Sequence, residues 1–171
     1  MTPRKTKTAR GTRDELAHIR KTLAVAVAMG RAKVLGEVLH EEIDRHRASG
    51  LPELSDVDWR EFRVNGATRL ASLFVAYFAA LDAVVDGWIR GGLADARVDK
   101  LLDSPHKQTL AGFRNAMFHP RSLVDDRLTN LHASRKELLK WADELAATFE
   151  VAFKAWYAAL RAPGNAPLAG A

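Results

Sequence analysis

The chain has 171 residues, 26 Lys and Arg against 21 Asp and Glu, and no cysteine. That length suits one domain with a real core, and without thiols neither a disulfide nor a thiolate metal site is available. The net charge of +5 is not spread over the body, because Arg4, Lys5, Lys7, Arg10 and Arg13 fall in residues 1–13 and leave 21 basic against 21 acidic residues beyond them.

Residues 1–13 read as a basic disordered tail, either a solubilising terminus or an arm adding salt-sensitive, sequence-blind affinity for nucleic acid. No apolar run follows its charges, so it does not resemble a secretory signal. From about Asp14 to Arg47 a helix is expected, with Leu16, Ile19, Leu23, Val27, Val34 and Val38 at helical spacing and Gly50 as the stop. Gly30 and Gly36 are places where that helix bends or lets a neighbour approach closely. "SGLPELSD" is a loop, and Ser55 is placed to cap a short helix through Trp59 and Phe62.

The strongest helical signal runs from Ala67 to Arg90. Leu70, Leu73, Phe74, Tyr77, Phe78, Leu81, Val84, Val85 and Trp88 make one wide apolar stripe, and Gly91-Gly92 ends it. The apolar stretch Leu70 to Leu81 is broken by Asp82 and Asp86 and reads as too short to cross a bilayer, so no membrane partner is expected. "LADARVDKLLDS" suggests a short helix with Val98, Leu101 and Leu102 inward. Ser104-Pro105 then supplies a cap and a first-turn proline for a helix ending near Phe118, where Pro120 disfavours helical geometry at His119. A last helix is expected from Ser134, with a capping box to Glu137, and its inner face carries Leu138, Trp141, Leu145, Phe149, Phe153, Trp156 and Leu160. Residues 162–171 read as a flexible tail. The expected fold is all-α: a four- to five-helix bundle over residues 14–161, in a reducing cytoplasm.

"AGFRNAMFHP", residues 111–120, concentrates the chemistry. On a helical wheel Leu110, Phe113 and Met117 form the buried edge, while Asn115 and His119 lie one turn apart on roughly the opposite side. Arg114 falls inside the apolar arc, and its permanent charge there requires an acidic partner or an anionic ligand. Asp82 and Asp86, one turn apart on the preceding long helix, are the nearest candidates. His119 sits at a helix C-terminus, which favours the imidazolium. A fixed cationic fork, an orienting amide and a titratable acid/base make up the set needed for phosphodiester transfer by an internal nucleophile. The bland alternative is a helix end with polar dressing, in which Asp86 is a solvated or locally capping carboxylate.

Glu37 and His40 have the E-x-x-H spacing of helical di-metal proteins, with His46 farther along. The closest second copy, Asp103 to His106, straddles a helix cap, so no metal or other cofactor is expected. No nucleophile elbow and no Gly-rich phosphate loop appears.

"FRNAMFH" resembles the R-N-x-x-x-H signature of HEPN-type helical domains. "VVDGW" and "RVDKLL" upstream and "DDR" at 125–127 extend the similarity over about Val84 to Arg127. The resemblance implies a homodimer in which two motifs face each other across a cleft, and in many members a metal-independent ribonuclease, often a toxin or antiphage defence component. Arg114 would then stabilise the transition state, Asn115 would orient, and His119 would be general base or acid. Other members keep the fold as binding or scaffolding modules. Antitoxin-controlled members often carry a tyrosine two residues after the histidine. Here that position is Arg121, which argues against nucleotidylation by an antitoxin partner and suits an RNA phosphate contact instead.

Overall fold

The computed structural model describes residues 8–50, 68–118 and 135–161. Within them the chain is all-helical: α1 Thr8–Ala48, α2 Thr68–Gly91, α3 Ala96–Leu102, α4 His106–Phe118 and α5 Arg135–Arg161. The short helix expected around Trp59 and Phe62, and the Ser134 cap, lie outside the described residues. α1 begins at Thr8 rather than near Asp14, so the first helix reaches into the stretch read as a tail.

The ends follow local chemistry. Gly50 and Gly92 take φ of 71° and 65°, a left-handed conformation that costs glycine least, and so terminate α1 and α2. After α2, Gly92 N–H donates to Ile89 C=O and Leu93 N–H to Trp88 C=O, closing the last turn. Asp95 caps α3 by accepting from the backbone N–H of Arg97 and Val98. Ser104 Oγ accepts from His106 N–H at 3.3 Å at the start of α4.

α2 is the hub. Leu70, Phe74, Tyr77, Phe78, Leu81, Val84, Val85 and Trp88 are all buried, as their stripe predicts. α1 and α2 run antiparallel, since Val25 lies against Gly87, Gly36 against the Tyr77 ring, and Glu42 pairs with Arg69. α5 is antiparallel to α1 as well, through Lys33–Glu150 and His40–Asp143. On another side of α2, Phe113 of α4 stacks on Phe78 at 4.8 Å between ring centroids, with Phe74 at 5.9 Å. Trp88 meets Phe149 and Phe153 of α5 edge-on. α3 is held by its own buried Val98 and Leu102 and by Trp141 Nε1, which donates to Leu101 C=O at 3.1 Å.

Two expectations change. As a helix, Arg69–Gly91 does reach the length and apolarity of a membrane span (mean hydropathy 1.6), because Asp82 and Asp86 are too few to dilute it. Yet 56% of its 18-residue apolar window is buried inside the structure, as in the core helix of a soluble protein. In α1, the stripe that announces the helix is not the one buried. Thr22, Val25, Met29, Ala32, Leu39 and Ile43 face inward, whereas Leu16, Leu23, Val27 and Val34 are exposed.

Phe78→Ala would open a cavity where Phe74, Tyr77 and Phe113 meet, and should cost about 3–5 kcal/mol in urea unfolding. Gly87→Ala should also destabilise, although alanine is the better helix former. Its Cβ would sit 2.9 Å from Cγ2 of the buried, stiff Val25.

Candidate functional site

The polar positions of α2 and α4 meet at one point. Phe113 anchors α4 on α2, and the next residue, Arg114, reaches across so that Nη1 lies 3.0 Å from Asp82 Oδ2. The Asp82 side chain is 10% exposed and that of Arg114 41%, so the carboxylate is inside and the guanidinium bridges from it to solvent. Asp82 Oδ2 has no aligned hydrogen bond among the described residues. The contact is therefore an ion pair by proximity and not a bidentate fork, and among the described residues no second acid pairs with Arg114.

Asp82, and not Asp86, is the partner that Arg114 requires. Asp86 turns along its own helix to Arg90 Nε at 2.9 Å. It still acts on the site, because its negative charge helps to raise the Asp82 carboxyl above the usual carboxylate range. Burial is the larger cause, and Arg114 pulls the other way. Asn115 follows on α4 with its side chain exposed. Arg114 and Asn115 thus share a solvent-facing edge, backed by Asp82. His119 and Arg121 lie outside the described residues.

A second polar cluster was not legible beforehand. The buried Tyr77 hydroxyl donates to Asp143 Oδ1 at 3.1 Å, and His40 Nε2 lies 3.1 Å from Asp143 Oδ2. His40 Nδ1 is 2.8 Å from Gly36 C=O, so both ring nitrogens face oxygen atoms. Burial first, then the Asp143 charge and hydrogen bond, raise the Tyr77 phenol far above its ordinary value. This cluster fastens α1, α2 and α5 together. The signal available for it was a tyrosine on a core stripe, whose hydroxyl needs a buried acceptor. His40 is thereby engaged away from Glu37, and among the described residues no group of three His, Asp or Glu comes together as metal ligands.

A cavity of about 250 Å³ lies between Thr22, Trp88, Leu93, Asp95, Phe153 and Trp156. The Thr22 and Asp95 side chains in its lining are already committed. Thr22 donates to His18 C=O. Asp95 binds the Arg97 side chain and the N-terminus of α3, which lowers its carboxyl to about 2. It offers apolar walls without a directing group.

Comparison with family models, curated proteins and solved structures finds no match. The Arg114–Asp82–Asn115 edge holds the only ion pair among the described residues that joins α2 to α4.

The raised Asp82 carboxyl carries a pH signature. The folded chain holds this proton more tightly than the unfolded chain, so from the ordinary carboxylate range up to the raised value the unfolded chain binds fewer protons. Stability then falls as pH rises. Relative to Asp82→Asn, wild type should be most stable at about pH 3 and lose ground towards about pH 7 in urea titrations. A difference that grows with pH would mean that Arg114 outweighs burial.

Proposed function

We infer that this chain is a metal-independent endoribonuclease of the HEPN type, working on RNA as a homodimer. The observation that carries the reading is the Arg114 guanidinium, braced by a buried carboxylate and still open to solvent, with Asn115 exposed beside it. A bracing carboxylate limits the arginine's freedom before substrate arrives, so less reorganisation is needed as charge develops on a phosphate.

In this reaction the ribose 2′-oxygen attacks the adjacent phosphorus. The O2′–P bond forms and the P–O5′ bond breaks. The products are a 2′,3′-cyclic phosphate and a free 5′-hydroxyl. His119 takes the 2′-hydroxyl proton, and the partner's His119 across the cleft protonates the departing 5′-oxygen. Arg114 neutralises the phosphoryl oxygens in the transition state, Asn115 orients the reacting phosphate, and Arg121 holds a neighbouring one.

The same ion pair favours a second reading, a non-catalytic helical module of this fold. Asp82 already neutralises part of the charge that a phosphate would meet, and the pair also serves to lock α4 on α2.

RNA cleavage in EDTA separates the two. Wild type should release 2′,3′-cyclic phosphate ends, His119→Ala should be slower by about 10²–10⁴, and Arg114→Ala by about 10²–10³. A 2′-deoxy nucleotide at the scissile position should block the reaction. Cleavage undiminished in His119→Ala removes the assignment, and RNA binding without cleavage by wild type supports the second reading.

A further inference from the structure

α1 runs for 41 residues and carries two apolar faces. Val25, Met29, Ala32, Leu39 and Ile43 face the other helices. On the opposite side of the same helix, Leu16, Leu23, Val27 and Val34 are 38%, 45%, 58% and 57% exposed. Together with Arg20, Gly30, Glu37 and Glu41 they fall alternately four and three residues apart, at positions 16, 20, 23, 27, 30, 34, 37 and 41. Every one of the eight is exposed. That spacing is a heptad seam, the pattern by which one long helix packs along another.

Two features of the seam say what covers it. The first is Gly30, in mid-helix, where an added Cβ would meet nothing within 4 Å. Glycine there costs about 1 kcal/mol relative to alanine. Within the described chain no close approach accounts for it, unlike Gly36 and Gly87, which make room for Tyr77 and Val25. The second is charge. The seam is basic at Arg20 and acidic at Glu37 and Glu41, and none of the three forms an ion pair among the described residues. The ion pairs of α1 use Lys33, His40, Glu42, Asp44, Arg45 and Arg47.

A parallel copy of α1 would set Arg20 on Arg20 and Glu37 on Glu37. An antiparallel copy sets opposite charges together. The register that brings Arg20 to the partner's Glu37 also brings Leu23 to the partner's Val34 and Val27 to the partner's Gly30. Val27, the most exposed apolar side chain of the seam at 58%, thus meets its one position without a side chain. We propose that this outer face of α1 is the docking surface for a second copy of the chain, the two α1 helices lying antiparallel about a two-fold axis between Val27 and Gly30.

Such a contact is isologous, so it closes on itself at two chains. It lies on α1 and leaves Arg114 and Asn115, on α4, outside it. It is thus separate from the motif-facing cleft and does not rest on the ribonuclease reading. A single helix pair is a small interface, and the dimer should dissociate in the micromolar range.

Sedimentation of the full chain across that range tests the proposal. Wild type should show one reversible doubling in mass, monomer to dimer, or dimer to tetramer where two chains are already joined across the motif-facing cleft. Val27→Glu should raise the dissociation constant at least about tenfold, with far-UV circular dichroism unchanged because the position is exposed. Arg20→Glu and Glu37→Arg should each weaken association by about tenfold, and the two together in one chain should restore it. A wild type without such a doubling overturns the proposal, as does a doubling indifferent to Val27→Glu. Failure of the double reversal to restore association overturns the antiparallel register. RNA cleavage is read separately, so either reading can fail without the other.

Discussion

The structure depends on covering α2. A helix with Leu70, Phe74, Tyr77, Phe78, Leu81, Val84, Val85 and Trp88 buried cannot stand in water. Each of the other long helices presents it a different kind of surface. α1 comes close along one side, where Gly36 admits the Tyr77 ring and Gly87 admits Val25. α4 supplies Phe113 to an aromatic cluster with Phe74 and Phe78. α5 supplies Phe149 and Phe153 around Trp88. Close backbone approach and ring packing fix these helices in register, because interiors at crystal-like density have few alternative arrangements.

Polar groups on such a helix then become constraints on its neighbours. Asp82 is mostly out of water, and burial works against its charge. The cation that answers it comes from the residue next to Phe113, so the same turn of α4 delivers both the aromatic anchor and the guanidinium. Tyr77 is the parallel case on another side of α2, with Asp143 of α5 taking its proton donor and His40 of α1 completing the chain. The two clusters differ in what they leave over. In one, the groups that reach solvent beside the enclosed Tyr77 are His40 and Asp143, already paired with each other, whereas in the other it is the Arg114 guanidinium, a permanent cation.

α1 adds a constraint of another kind. Its two apolar faces partly cancel when the helix is read as a single amphipath, and the more regular face in sequence is the one turned outward. A 3.6-residue stripe serves the curved interior of one chain, while a 3.5-residue seam suits a second long helix. The inner face also mixes Thr22 and Ala32 with larger residues. Small and polar positions hide a buried stripe from inspection more effectively than they weaken its packing.

The sequence by itself determined the helices and most of their ends. Periodicity marks the buried faces of α2 and α5 at most positions, with Leu73, Phe153 and Trp156 only partly covered, and Gly50, Gly92 and Ser104 act at the backbone within one turn, a range at which neighbours in sequence decide the outcome. It also determined that Arg114 needs an anion, since a guanidinium within an apolar arc cannot shed its charge. His119 and Arg121 remain assignments of the motif, because they lie outside the described residues. Tertiary structure alone decided that Asp82 answers Arg114 while Asp86 turns to Arg90, although the two acids are one turn apart on the same helix. It decided that His40 goes to Asp143 and not to a metal pair with Glu37, and that α1 buries Val25 and Met29 in place of Leu23 and Val27. Those choices turn on how far apart two helices lie and how each is rotated. Packing of the whole core sets both quantities, and no window of local sequence contains them.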